Sequence, residues 1–353
     1  MISVKDITSK KEERDGIVYI DVLDCDAFRL TGLPWKNTNG NYHRLDDRMN
    51  DKLSPGLKVR SNNTSGAQVS FKTDSSVFSV HIVRNTPEFM EHMCDDATGG
   101  TDIYIGSGKE KKFWHVCYCF NRESESLSTF NTDGKMNEYT VNLPLYSGID
   151  KLEIGLSPDA RIEAPSEYAV DRPVLVYGSS ITQGGCCTRP GLLYTNLIGR
   201  MLNVETICMG FSSNARGEEY MAQSFATLDL AAFVMDYDWN APNAEWLEKT
   251  HEKFFKILRE ARPGLPIIIV SKCDYDSDPV SGEERRLVIK RTFDNAVAAG
   301  DKNVYFVDGK EIFGHDFFRD ECTVDGNHPS DIGHMRLAEA IGNAVKRAFG
   351  ALI

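Results

Sequence analysis

Apolar and polar residues follow two different rhythms along this chain. Up to about residue 155 they alternate at a spacing of two; beyond about residue 173 the apolar residues gather into short unbroken runs separated by helical stripes. Alternation marks a strand with one buried face. In Val77-Phe78-Ser79-Val80-His81-Ile82 it puts Phe78, Val80 and Ile82 on one face, and turn clusters such as Ser61-Asn62-Asn63-Thr64-Ser65-Gly66 separate such runs. Many short strands without helices between them predict an all-β domain, a sandwich or jelly roll. In the second half, the runs at 174–177, 204–209, 232–236, 267–271 and 304–308 predict strands buried on both faces. Helical patterns lie between them, clearest over 243–261 and 282–299. The last helix, from about Ser330, repeats Ile332, Met335, Ala338, Ile341 and Val345. Strands and helices in alternation predict a parallel, doubly wound α/β sheet of five strands. The stretch from Ser157 to Arg172 has two prolines, several charges and little periodicity, which predicts a linker. The expected division is an all-β domain over residues 1–160 and an α/β domain over 161–353.

Length and charge narrow the partners. A chain of 353 residues has room for two cores. Forty basic against 52 acidic side chains leave a net charge of −12, which disfavours nucleic acid and anionic membranes as partners. No apolar run approaches the roughly 20 residues of a membrane span, and the N-terminal MISVKDITSKKEERDG has no apolar signal region. Nine scattered cysteines, an odd number, fit a reducing compartment better than a disulfide framework, so the expected location is cytoplasmic.

Two stretches carry reactive side chains. In Pro173 to Gly184, PVLVYGSSITQG, a buried strand breaks at Gly178 into Ser179 and Ser180. That is where α/β sheets present reactive groups, because the open crevice lies outside the carboxyl ends of the strands. Just before the last helix, VDGNHPSDIG sets Asp325 three residues ahead of His328. At that spacing a carboxylate can hold one imidazole nitrogen while the other points outwards, the role of the acid in a Ser/His/Asp triad. In the first half, His115, Cys117 and Cys119 share one face of a strand. They are either three ligands of a zinc site or, as the absence of a fourth ligand favours, an ordinary strand with small buried thiols. Cys186 and Cys187 read as packing residues, and His334 as a solvated or capping histidine.

Together these blocks resemble the SGNH, or GDSL-like, hydrolase superfamily. Gly178-Ser179-Ser180-Ile181-Thr182 stands where the family has GDSIT, Gly210 in MGFSSN matches the second block, Asp238-Trp239-Asn240 the third (usually GxND), and Asp325, His328 and Pro329 the DxxHP block. In the first half Gly100-Thr101-Asp102-Ile103-Tyr104 is similar to the GxDLY signature of the β-sandwich that precedes one subgroup of these esterases. The resemblance implies a flavodoxin-like three-layer αβα domain behind a jelly-roll-like sandwich. It also implies a nucleophile at Ser180, a base at His328 oriented by Asp325, oxyanion donors at Ser180, Gly210 and Asn240, and no metal or cofactor. Ser179 departs from the usual aspartate, and Asp238 and Ala241 from the usual glycine and aspartate of the third block. Arg216, Asp238 and Trp239 are candidate substrate contacts.

The expected function is a serine esterase acting on short acyl esters, acetyl first, of a polar alcohol such as a carbohydrate. The substrate is then a small-molecule or oligosaccharide ester, and a homo-oligomer is a possible assembly. The alternatives are a thioesterase or lipase-type acylhydrolase, an acyltransferase, and a non-catalytic glycan-binding protein on the same scaffold.

Overall fold

The run Val174-Leu175-Val176-Tyr177 lies at the heart of a five-stranded parallel sheet in the computed structural model of the chain, which describes residues 2–86 and 88–350. Its strand, Val170–Gly178, pairs on one side with Val204–Gly210 and on the other with Ala232–Asp236; Ile267–Val270 and Val304–Val307 extend the sheet outward. By position in the chain the order is 2-1-3-4-5, the flavodoxin-like doubly wound order, whose switch point lies at the ends of the first and third strands. Residues 174–177 and 232–235 are buried, as strands covered on both faces must be. The covering helices fall into two groups: Tyr194–Leu202 packs on Asp331–Phe349, and Ala244–Ala261 packs on Glu219–Phe225 and Pro279–Ala298.

In the last helix the buried stripe is His334, Leu337, Ala338, Ile341 and Val345, while Met335, assigned to it from the sequence, is half-exposed. One step of register replaces methionine by histidine on the inner face. The spacing of 3, 4 and 7 residues is satisfied by either start.

The all-β part consists of two antiparallel sheets. One, of seven strands, runs Ile2–Ser3, Arg161–Glu163, Gln68–Thr73, Asn137–Asn142, Thr101–Ile105, Lys112–Cys117, with Arg29–Thr31 also paired to Gln68–Thr73. The other, of five, runs Lys11–Arg14, Ile17–Asp21, Gly148–Leu156, Val77–Asn85, Glu125–Asn131. Their inner faces meet in one core, where Phe78 stacks on Phe71 at 5.7 Å and on Tyr139 at 5.0 Å. Phe78, Val80 and Ile82 lie in that core together. Arg161–Glu163 lies inside the stretch read as linker. It is a strand because Ile162 is buried and pairs with Thr73; at three residues it is too short to leave a periodic signal.

The chain is interleaved between two units. One holds the residues up to Asn50, Ser61–Glu167 and Thr188–Gly191; the other holds Asp51–Arg60, Tyr168–Cys187 and the chain from Leu192 on. Within the first unit, Asp102 of the GxDLY-like signature is fully buried. It accepts hydrogen bonds from Arg189 Nη1 (2.5 Å), the Gly191 N–H (3.0 Å) and Asn142 Nδ2 (2.8 Å), and Arg189 also reaches the Tyr104 hydroxyl.

His115 is exposed and stacks on Phe130 at 4.4 Å, whereas Cys117 and Cys119 are buried. Among the described residues these three do not gather into a set of metal ligands. The strand ends at Cys117, so Cys119 no longer follows its alternation. Among the described residues none of the nine cysteines forms a disulfide. Among the described residues no helix is long and apolar enough to cross a membrane.

Candidate active site

The turn that carries Ser180 follows from three strand ends in register. Gly178 pairs with Gly210 on one side and with Asp236 on the other, at the carboxyl edge of the sheet. Directly after Gly178 comes a single helical turn, Ser180–Gln183, capped by Ser179, whose hydroxyl accepts from the Ile181 N–H at 3.2 Å. Aspartate and serine are comparable N-cap residues, so Ser179 performs the capping for which the family's aspartate is equally suited. The turn closes at Gly184, whose φ of 108° favours glycine, and the Gly185 N–H bonds back to the Ser180 carbonyl at 2.7 Å.

Close approach explains the glycines before and beside the turn. A Cβ on Gly178 would stand 1.9 Å from Thr182 Oγ1, and one on Gly210 would stand 2.1 Å from the Gln183 backbone nitrogen. No side chain fits either place. Gln183 is fully buried, and its Oε1 accepts from the Ser212 N–H at 2.8 Å, tying the turn to the loop after the second strand. Nothing in the spacing of the sequence singles out Gln183, because its partner lies 29 residues away.

The three reactive side chains come together. Ser180 Oγ lies 3.0 Å from His328 Nε2, and His328 Nδ1 lies 2.8 Å from Asp325 Oδ2. The other carboxylate oxygen of Asp325 accepts the backbone N–H groups of His328 (2.7 Å) and Asn327 (3.0 Å), so the loop wraps around its own acid. Desolvation works against the Asp325 charge. The hydrogen bonds from the His328 ring and backbone outweigh it and hold the carboxyl below its ordinary pKa. A carboxylate on Nδ1 fixes the ring so that Nε2 faces Ser180 ready to accept a proton.

Gly210 lies against the Ser180–Gln183 turn, and Asn240 sits in a short turn, Asp238–Asn240, after the third strand. The Asn240 amide donates one hydrogen to the Phe211 carbonyl at 2.8 Å, which anchors it beside the residue that follows Gly210. An amide nitrogen has a second hydrogen. Asp238 is buried and engaged: it accepts from the Lys272 backbone N–H at 2.9 Å and from Arg285 Nη1 at 3.3 Å. Trp239 lies under Lys272, whose Nζ is 3.5 Å from the ring centre. Arg216 is exposed, its guanidinium on the Ser213 carbonyl and its own carbonyl accepting from Trp246 Nε1. These contacts make Asp238 a structural brace and leave Arg216 at the surface of the loop after the second strand.

Cys186 and Cys187 are both buried, and burial pushes the Cys186 thiol up to about 12, with the negative charge of Asp325 adding to the shift. A thiol so disfavoured as thiolate is a poor candidate nucleophile. Beneath the turn the Asp236 carboxylate accepts from Thr182 Oγ1 (2.9 Å) and the Tyr194 hydroxyl (2.7 Å), and no sequence signal singled out Tyr194. His334, expected at the surface, is fully buried.

A parallel doubly wound domain with a Ser–His–Asp hydrogen-bonded line at its carboxyl edge has the architecture of an SGNH-type hydrolase. Residues 171–346 match the GDSL-like Lipase/Acylhydrolase family and residues 17–162 match the N-terminus of Esterase_SGNH_hydro-type. The chain belongs to this superfamily of ester hydrolases, in the subgroup with a GxDLY N-terminal domain. Among solved structures it is similar to a protein named as a GDSL-like lipase from Bacteroides ovatus, with 25% identity over 94% of this chain and 98% of that one and a TM-score of 0.83. It has the fold of the salicylyl-acyltransferase SsfX3 from a tetracycline biosynthetic pathway (17% identity, 96% and 98% covered, TM-score 0.75). The same holds for the acetyl xylan esterase Est2A from the rumen bacterium Butyrivibrio proteoclasticus (13% identity, 94% and 99% covered, TM-score 0.59). No curated protein matches the chain.

Proposed function

We propose that the chain is a serine esterase that removes a short acyl group, acetyl first, from a hydroxyl of a polar alcohol, with O-acetylated carbohydrate as the substrate class. The observation that carries this reading is the line Ser180 Oγ, His328 Nε2, His328 Nδ1, Asp325 Oδ2, with separations of 3.0 and 2.8 Å between residues. In the first step Ser180 Oγ attacks the acyl carbon and its proton passes to His328 Nε2. The carbonyl oxygen becomes an oxyanion, held by the backbone N–H of Ser180, the backbone N–H of Gly210 and the second amide hydrogen of Asn240. One well-placed donor of this kind contributes about 3–4 kcal/mol. The imidazolium then protonates the departing alkoxide as the carbon–oxygen bond breaks, leaving acyl-Ser180. Water attacks the acyl carbon, giving one proton to His328, and collapse of the second tetrahedral intermediate returns it to Ser180 with release of the carboxylic acid.

For the alcohol side, the net charge of −12 disfavours an anionic interface, and the fold is shared with an esterase named for acetylated xylan. The test is hydrolysis of p-nitrophenyl acetate and of acetylated xylo-oligosaccharides by the wild type and by Ser180→Ala. Loss of at least about a thousandfold in kcat is expected for the variant. Equal rates in the two proteins would refute the serine mechanism. Faster release from p-nitrophenyl esters of long fatty acids would refute the short-acyl reading, and acyl transfer outrunning hydrolysis with an alcohol acceptor present would make the protein an acyltransferase.

A further inference from the structure

Gly185 touches both members of the nucleophile–base pair. Its N–H donates to the Ser180 carbonyl at 2.7 Å, and a Cβ built on it would stand 2.9 Å from His328 Cδ2 and 3.0 Å from the Ser180 carbonyl oxygen. A shift of Gly185 by a few tenths of an ångström is therefore felt on both sides of the Ser180–His328 hydrogen bond. Its own carbonyl points the other way, to His334 Nε2, 3.1 Å distant.

His334 is built to hold that carbonyl. It lies in the second turn of the Asp331–Phe349 helix, six residues after His328, and has no solvent exposure. A carbonyl only accepts, so Nε2 carries the hydrogen and Nδ1 the lone pair. Among the described residues that buried Nδ1 has no hydrogen-bond partner, so Gly185 receives the one hydrogen bond the ring makes. Burial keeps the imidazole neutral, its pKa pushed down to about 4, which removes it as a second base at neutral pH. The ring is immobilised: Tyr194 stacks against it with centroids 6.1 Å apart and planes 20° apart, while the Tyr194 hydroxyl bonds to Asp236 at 2.7 Å and to Thr182 at 3.1 Å. The helix that carries it is held as well. Ser330 caps it at the Gly333 N–H, and Gly333 is pressed against the Cys322 carbonyl, where a Cβ would come within 2.1 Å.

We infer that His334 is a positioning residue for the reaction, donating Nε2–H to the Gly185 carbonyl and so fixing the backbone wedge that sets the Ser180 nucleophile against the His328 ring. The inference rests on the esterase reading for its effect on rate, and on geometry alone for its effect on the His328 ring. It accounts for a buried histidine whose other nitrogen is left without a partner, an arrangement that costs stability and that an apolar side chain would avoid.

The experiment compares the full-length wild type with His334→Leu, which keeps much of the volume and removes the donor, and with His334→Gln, whose amide nitrogen falls near the place of Nε2. Two signals are read: kcat and KM on p-nitrophenyl acetate, and the His328 ring resonances in 15N-histidine-labelled protein. In His334→Leu a drop in kcat of about tenfold is expected with KM within twofold of wild type, and the His328 resonances shift. In His334→Gln both signals return most of the way to wild type. Unshifted His328 resonances in His334→Leu overturn the inference whatever the activity, and so does a His334→Gln as impaired as His334→Leu. Shifted resonances in a wild-type background that hydrolyses no ester would instead sink the esterase reading and leave the positioning role standing. If His334→Leu does not fold, His334→Asn takes its place with the same expectation, since its amide is too short to reach Gly185.

Discussion

Asp236 sits one layer beneath the turn that carries Ser180 and braces it. It ends the third strand beside Gly178 and gathers the hydroxyls of Thr182, within the Ser180–Gln183 turn, and of Tyr194. Loss of hydration pushes its pKa from the ordinary 3.8 up to about 7, against the pull of those two hydrogen bonds. The folded state therefore keeps a proton that the unfolded state releases between about pH 4 and 7, so this residue makes stability fall as pH rises through that window and level off above it. Asp236→Asn removes the titration. It is expected to match the wild type in urea denaturation at pH 4 and to exceed it by on the order of 1–2 kcal/mol at pH 8. No gain at pH 8 would mean that the carboxylate stays charged and satisfied in the fold. Ser179 is the complementary case. It differs from the family's usual aspartate, yet its hydroxyl makes the same kind of cap, so the departure changes the charge at the turn and leaves its geometry intact.

At the scale of elements, the site is made by strand ends that approach more closely than side chains allow. Gly210 contacts the backbone of the Ser180–Gln183 turn, where a Cβ would lie 2.1 Å from Gln183 N and 2.5 Å from Thr182 C. Backbone atoms cannot rotate away as a side chain does, so Gly210→Ala should displace the turn. A stability loss of about 1–3 kcal/mol in urea denaturation is expected, together with a fall in kcat of tenfold or more. Wild-type kcat in a destabilised Gly210→Ala would show that the turn moves as a rigid piece without losing its alignment to His328. The strand runs themselves were legible in the sequence, because a fully buried parallel strand leaves four or five apolar residues in succession and little else does. The last helix was legible in position but not in phase. His334 takes the inner face with Leu337, Ala338 and Ile341, where it meets the Gly185 carbonyl, and Met335 is half-exposed.

At the scale of the whole molecule, the two units are not consecutive in the chain. Asp51–Arg60 belongs with the parallel-sheet unit, and Gly56 lies so near Asn214 that a Cβ on it would come within 2.0 Å of the Asn214 amide oxygen. Asn214 is part of the loop that follows Gly210. Residues 161–353 produced alone lack this segment and are expected to unfold at a lower temperature than the full chain and to hydrolyse p-nitrophenyl acetate more slowly, as read by thermal melting and steady-state rates. Equal melting temperatures would show that the segment adds nothing to the second unit. What the sequence by itself determined is whatever is written in neighbouring residues: strand runs, helical stripes, the serine at the end of the first parallel strand, and an aspartate three residues before a histidine. The tertiary structure alone decided the rest. It closed the 148 residues between Ser180 and His328, turned Asp238 into a brace for Lys272 and Arg285, made Arg161–Glu163 a strand, and buried His334 against Gly185. Each of these is a contact between residues far apart in the chain, made by packing and hydrogen bonding in three dimensions, and such contacts leave no period or spacing in the sequence to read.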